Sequence, residues 1–234
     1  FHVKNDGEHL SSFYYIGGSL GVTLAGDFLT LFLFWEIMAF SSVFLVWYRK
    51  IPSSVDSGFR YLLWHVIGGL ILFSGIMIQY SVSGDLSIQY LPFHGWWPTD
   101  IQSLASFLIL IGFIVNAAVP PFGAWLPDAY PAATVTGAVF MSAFTTKTAV
   151  YALIRVCAGS EILIFLGVVM AIYGVVYAVL ENDARRLLAY HIISQVGYMV
   201  AGTGLGTQMA INGVVAHAFC HILYKSLLFM GTGS

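Results

Sequence analysis

Charge is what this sequence has least of. Asp, Glu, Lys and Arg make up 9% of its 234 residues, against about 25% in an ordinary soluble domain. Mean hydropathy is +0.84, so a lipid bilayer suits the chain better than water does. The formal net charge of −2 supplies no basic surface for a nucleic acid. Cysteine is nearly absent too. Cys157 and Cys220 stand singly in apolar runs, with neither disulfide nor metal-ligand spacing, and read as packing residues. Two such cysteines are too few for an iron–sulfur cluster, and no resident cofactor is expected. There is no internal repeat and no low-complexity tract. The chain opens on Phe1 with no signal peptide before it, and stops at "FMGTGS" straight after an apolar run. Both ends predict a piece of a longer protein.

What is present is apolar sequence in long runs. A membrane-spanning helix needs roughly 20 mostly apolar residues, and eight such spans are expected here. Residues 12–48 hold two, with Gly26-Asp27 as the break between them, and residues 61–80 hold the third. The stretch "SVSGDLSIQYLPFHGWWPTD" is a loop whose Trp96 and Trp97 suit the headgroup level. The fourth span begins near Ser103 and meets Pro120-Pro121. Proline removes a backbone donor and clashes with the preceding turn, at a cost of roughly 3 kcal/mol, so a broken helix is expected there. Four further spans follow at about residues 135–156, 162–180, 187–202 and 209–230. The fold class is therefore all-α and polytopic, with residues 1–234 forming one membrane domain and no soluble one.

Orientation checks this count. With eight alternating crossings, Lys4, Arg49, Lys50, Arg60, Arg185 and Arg186 fall on one side and Arg155 on the other. Positive charge collects on the cytoplasmic side of membrane proteins, so those six are expected in the cytoplasm or the equivalent compartment, and the membrane expected is a cell inner membrane rather than a mitochondrial one. A wrong helix count in the middle would have mixed the two sets.

The few charges inside the spans are the informative ones. Glu36, Lys147 and Lys225 lie mid-helix, where insertion scales put a charge at roughly 2.5–3.5 kcal/mol. His65, His191, His217 and His221 are at or near the same depth. Such groups must face protein or water. Glu36 and Lys147 could form a static buried ion pair or, because burial and an opposite charge pull on ionisation in opposite directions, a proton-exchanging one. His65 and His191 could each simply bond a neighbouring helix. Asp27, Asp85, Asp100 and Glu161 fall in expected loops and read as solvated surface.

His217, His221 and Lys225 are each four residues apart. Four residues advance a helix by about 6 Å with an offset of about 40°, so the three form a stripe about 12 Å long, suited to passing protons. Two imidazoles at this spacing could also hold a metal. The partner glutamate of HExxH is missing, however, and a lysine one turn on would repel a divalent ion. A bis-histidine haem site would need opposed rings on two helices, such as His191 and His217, and would make the chain an electron carrier.

Five segments, "FWEIMAFSS", "PPFGAWLPDAYPAATVTG", "TTKTAVYALIR", "DARRLLAYHIISQVGYM" and "HAFCHILYKSLLFM", occur in this order along nearly the whole chain. Together they closely resemble the antiporter-like membrane subunits of respiratory complex I, membrane-bound hydrogenases and Mrp-type cation/proton antiporters, the D-type Mrp subunit most of all. The resemblance implies about fourteen helices, including two inverted five-helix repeats, each with one broken helix. The present chain would correspond to helices four to eleven.

The resemblance also implies roles. Glu36 matches an intramembrane glutamate that modulates a nearby lysine, and Lys147 matches the lysine in the helix after the broken one. His217, His221 and Lys225 match the groups linking two half-channels along the membrane midplane. His65 and Arg60 match more loosely. Asn116 stands where many members have lysine, and Gly123 where many have histidine, so a switch here would have to use Lys147. The implied function is proton conduction within a complex of other membrane subunits, in exchange for Na+ or K+. The alternative is proton pumping in a quinone- or hydrogenase-linked redox complex.

Overall fold

The computed structural model describes residues 6–233. Lys4, one of the six basic residues assigned to one side, lies outside the described residues. Those described form nine helices: α1 Asp6–Leu24, α2 Phe28–Trp47, α3 Pro52–Ser83, α4 Ile101–Asn116, α5 Trp125–Ala132, α6 Val135–Cys157, α7 Glu161–Leu180, α8 Ala184–Leu205 and α9 Gln208–Gly231. Five of them (α2, α3, α6, α7 and α9) are long and apolar enough to cross a membrane, and α4 is a shorter apolar helix. Helices α1 and α8 run beside them with more polar sequences, α1 carrying Glu8 and His9 and α8 carrying Arg185, Arg186 and His191. Outward-facing Phe13, Leu24, Val179 and Met209 are more than 70% exposed, a surface made for lipid rather than water.

Short polar residues set the helix starts. Asp27 accepts the Thr30 N–H at 2.7 Å to begin α2, and Thr30's hydroxyl and N–H together hold the Asp27 carboxyl below its ordinary range. Asp100 and Ser103 form a reciprocal capping box at α4, Asp183 caps α8 and Thr134 caps α6. Each satisfies a donor that the first turn of a helix leaves open. Asp27 and Asp100 are thus structural caps rather than free surface charge, and Glu161, expected in a loop, opens α7. Helix α3 starts nine residues before the apolar run that signals it, because Pro52 pre-sets the first-turn φ. Its 32 residues reach about 48 Å, past a hydrocarbon core of about 30 Å.

The expected break is present. Helix α4 stops at Asn116, Ala118 takes a left-handed φ of 61°, and α5 resumes at Trp125. Pro120 and Pro121 have no N–H to continue α4. The Trp125 indole spans the gap, donating to Val115 O at 3.0 Å.

The two ends of the bundle differ in chemistry. At one end Arg49 and Arg185 both donate to Pro131 O, Arg185 also reaches Ala133 O at 3.2 Å, and Arg60 pairs with Asp128. Arg49 and Arg185 thus hold the C-terminal end of α5, where its open carbonyls favour cations, and Arg60 holds its first turn. Arg155, in the last turn of α6, binds Tyr151 Oη at 3.4 Å, about 30 Å along that helix from its start at the arginine end. Five of the six basic residues assigned to one side are therefore found together, and Arg155 apart from them. Across the opposite end lies the loop 84–100. It pairs with the α1–α2 turn (Phe28 N to Leu86 O, 2.8 Å) and with the α6–α7 turn (Phe93 N to Ser160 Oγ, 2.8 Å).

Helices α7 and α8 approach so closely that glycine is needed on both. A Cβ on Gly174 would run into the Ser194 backbone nitrogen, and one on Gly197 would stand 2.6 Å from Ala171 N. Backbone cannot yield as a flexible side chain can. Gly174→Val is expected to destabilise the protein by about 1–3 kcal/mol, as overpacking does. The full-length chain in detergent, heated with a thiol-reactive dye in a Cys220→Ser background, should expose buried Cys157 at a lower temperature. An unchanged midpoint would show that the pair can separate freely.

Candidate functional site

Helix α9 carries the row of titratable groups as the sequence spacing requires. The rings of His217 and His221 stack at 6.1 Å with an interplanar angle of 19°. His221 and Lys225 are fully buried, and His217 is half-buried. The Lys225 ammonium donates to Leu188 O of α8 at 3.2 Å. From α6, Lys147, 7% exposed, folds its ammonium back onto Ser142 O at 2.6 Å. His191 of α8 completes the group.

These five residues form one electrostatic cluster. Lys147 interacts with Lys225 and His217, and His221 interacts with both lysines and with both other histidines. Among the described residues no carboxylate forms an ion pair with them. The ion pairs among the described residues are Arg60–Asp128 and Arg186–Glu181. Both ring nitrogens of His221, Nε2 of His217 and Nδ1 of His191 are buried without a hydrogen-bond partner among the described residues. A buried polar atom left unpaired costs roughly 1–3 kcal/mol, so the cluster has unused capacity to bind protons or water. Among the described residues no three His, Cys, Asp or Glu side chains are grouped to hold a metal ion.

Three other candidates lie outside this cluster. Glu36 of α2 makes no ion pair with Lys147, so the paired arrangement that the sequence allowed is not the one formed. Its carboxylate turns instead toward α3, into the space left by Gly69, with Oε1 buried and unpaired. It borders a lipid-facing groove of about 590 Å³ between α1 and α2. His65 of α3 is fully buried. It bonds Tyr61 O through Nδ1 at 2.9 Å, stacks on the Tyr61 ring at 3.9 Å and meets Trp125 edge-on at 4.6 Å. Asn116 ends α4 at the break, fully buried, with both amide atoms unpartnered. Gly123 is dictated by backbone, because a Cβ there would collide with Ala118 O. Of the two cysteines, Cys157 packs in the core as expected. Cys220 does not; it faces outward on α9, on the side away from the buried Lys225.

Sequence reasoning missed a second polar region. On α1, Glu8, Ser11, Ser12, Tyr15 and Ser19 are all at most 9% exposed and recur at helical spacing. Tyr15 Oη meets Thr145 Oγ1 of α6 at 2.5 Å, and Ser19 meets Thr148 at 2.7 Å. The 3–4 residue period of polar residues in α1 is the signal that could have found them.

Comparison with known proteins matches this architecture. The family described as NADH:quinone oxidoreductase/Mrp antiporter, TM, matches residues 25–234. The D-type subunit of the Na+/H+ antiporter of Alkalihalophilus pseudofirmus is 30% identical over 234 residues, covering 95% of this chain and 47% of that protein. The M-type subunit of the NADH-quinone oxidoreductase of Pseudomonas aeruginosa is 29% identical over 248 residues, covering 96% and 48%. The chain thus spans about half the length of these relatives. Among solved structures, a chain of the Mrp complex from Dietzia sp. superposes with a TM-score of 0.84 at 28% identity, over 94% of this chain and 43% of that one. A chain of respiratory complex I from Thermus thermophilus gives 0.87 at 22% identity, over 100% and 52%, a likeness of fold. With the broken helix, the buried lysines and the family match in agreement, the chain belongs to the NADH:quinone oxidoreductase/Mrp antiporter family of antiporter-like membrane subunits.

Proposed function

We propose that this chain is a proton-conducting subunit of a multisubunit Na+ or K+/proton antiporter in a bacterial inner membrane. The observation that carries this reading is the α6–α8–α9 cluster. Two buried lysines bond only to backbone carbonyls in the described hydrogen bonds, and His221 sits among them with both ring nitrogens unpaired. A purely structural polar core would have its groups satisfied. A relay needs the opposite, groups that can take a proton and release it. Its members also repel one another when charged, so protonation of one biases the next.

In this reading Lys147 receives protons from the basic, cytoplasmic end. His217, His221 and Lys225 carry them across the centre of the interior from α6 to α9, toward helices outside this chain. Glu36 acts on Lys147 through the protein rather than by direct contact, while Asn116, His65 and His191 play lesser parts. The D-type relative from a Na+/H+ antiporter, similar over 95% of this chain, supports cation exchange as the driving force. The similarity to the M-type relative from an NADH-quinone oxidoreductase, nearly as high, supports a second reading in which the same relay serves a redox-driven pump.

The test uses everted vesicles containing the full-length chain with its partner subunits. A pH gradient is established by an unrelated donor, and its collapse on adding Na+ or K+ is followed with a pH-sensitive dye. Lys147→Ala is expected to abolish the collapse with the complex still assembled; retained exchange in assembled mutant complex would overturn the relay. Absence of cation-driven collapse in wild-type vesicles that contain the complex would favour the redox-driven pump.

A comparison of two histidines separates relay from packing. His221→Ala is expected to slow transport at least tenfold, and His65→Ala less, since His65 is already bonded to Tyr61 O and packed between aromatic rings. Equal effects would remove the distinction between α9 and the rest of the interior.

A further inference from the structure

The relay needs a supply, and the described hydrogen bonds show a polar path that none of its members belongs to. It begins at the basic end with Glu8, which is 6% exposed. Glu8 Oε1 accepts hydrogen bonds from the hydroxyls of Thr134 at 2.7 Å and Thr136 at 2.5 Å. The Thr134 carbonyl in turn receives Arg185 at 3.4 Å, which fixes the carboxylate at the end where the arginines gather.

From there the path follows α1 inward. Ser11 and Ser12 lie one turn on, their hydroxyls bonded to Gly7 O and Glu8 O. Tyr15 comes next, about 10 Å from Glu8 along the helix, then Ser19, about 6 Å further. Each of the last two meets a threonine hydroxyl of α6. Around Thr145 the hydroxyls of three tyrosines converge from three helices: Tyr15, Tyr61 of α3 and Tyr130 of α5. Tyr61 bonds on to Ser42 of α2 at 2.7 Å, and Tyr130 to Met141 O at 2.8 Å.

Thr145 and Thr148 bracket Lys147 in sequence. Successive residues turn about 100° around a helix, so Thr146 stands between the face carrying Thr145 and the face carrying Lys147. The Thr146 hydroxyl is fully buried and has no partner among the described residues. Its unpartnered hydroxyl lies at an angle between the two faces.

We infer that the α1–α6 seam, from Glu8 through Tyr15–Thr145 to Ser19–Thr148, is a proton inlet from the basic end to the level of Lys147, with Glu8 as the proton-accepting group at its mouth. A hydroxyl can donate one hydrogen bond while accepting another. A row of hydroxyls with waters between them therefore passes a proton inward by exchanging O–H bonds, each oxygen gaining one proton as it gives one up. No redox partner or leaving group is required. The inference rests on the proposed relay, because it ends at Lys147.

Two substitutions at Glu8 separate an inlet from a structural tie. Gln keeps the size of Glu8 and an oxygen that can accept from Thr134 and Thr136, but cannot take up a proton. Asp can take up a proton but is one methylene shorter. In the vesicle assay, Glu8→Gln is expected to slow proton transport at least tenfold in an assembled complex, and Glu8→Asp to restore a large part of the rate. A structural tie gives the reverse order, which would overturn the inlet. So would a wild-type rate for Glu8→Gln in preparations where Lys147→Ala is inactive. Transport persisting in Lys147→Ala overturns the parent relay, and the inlet with it. Should Glu8→Gln fail to assemble, Tyr15→Phe, which keeps the ring and removes the hydroxyl, decides: a several-fold slowing supports the inlet and a wild-type rate overturns it.

Discussion

Everything in this fold answers to the cost of holding ionisable groups at membrane depth. Each charge placed near the bilayer centre costs roughly 2.5–3.5 kcal/mol on insertion scales, and lipid offers no hydrogen bond in return. Lys147, Lys225 and His221 are accordingly enclosed among α6, α8 and α9, while the outward faces carry Phe, Leu, Val and Met. Enclosure of that kind requires helices that pack tightly. The glycines of α7 and α8 let two backbones approach until a single Cβ would not fit, and with them α8 is seated where its Leu188 carbonyl reaches Lys225.

The interior handles polarity in two opposite ways on the two faces of α6. Toward α1, hydroxyls and a carboxylate are paired nearly one to one, Glu8 with two threonines, Tyr15 with Thr145, Ser19 with Thr148. Toward α9, lysines meet only backbone carbonyls and imidazole nitrogens stay unpaired. A paired face is stable in one arrangement and transmits by exchange along existing bonds. An unpaired face is responsive, because each arriving proton or water finds an open partner. The broken helix sits beside both. Its second half, α5, is fixed by Arg60 at its first turn and by Arg49 and Arg185 at its C-terminal end, and places Tyr130 at the paired face and Trp125 against His65.

Much of this was legible in the sequence. The broken span, the helix boundaries to within a turn or two, and the α9 stripe follow from proline chemistry, apolar run length and the four-residue spacing of His217, His221 and Lys225. The start of α3 was not legible, because its first two turns are polar and leave the hydrocarbon. Nor was the separation of Glu36 from Lys147. Both look like unpaired charges in a linear reading, and only packing shows that Gly69 offers the carboxylate a space on α3. The α1–α6 seam escaped for a related reason. Ser, Thr and Tyr raise no alarm in an apolar helix, since Ser and Thr can return a hydrogen bond to the preceding turn and a Tyr ring packs among apolar neighbours. Their significance comes from facing a second helix with the same pattern, a long-range property. Cys220 failed as a packing residue because α9 is buried only along the line of Val214, His221, Lys225 and Phe229.

The proposed relay is compatible with relatives named for cation exchange and for NADH-quinone oxidoreduction alike. A relay of buried amines and imidazoles has no chemistry of its own to drive it. It responds to any nearby change in charge, because moving an opposite charge closer favours the protonated form and moving it away favours release. Glu36 lies on α2, between the lipid-facing groove and α3, where a displacement of either helix would change its distance from Lys147. In the proposed role it converts a mechanical or electrostatic event at the boundary with a neighbouring protein into a proton step inside. In that role the same interior would serve whether the event were cation binding or electron transfer. Coupling free energies are reciprocal, so in the proposed role proton loading of Lys147 and Lys225 would push back on the same boundary with equal strength.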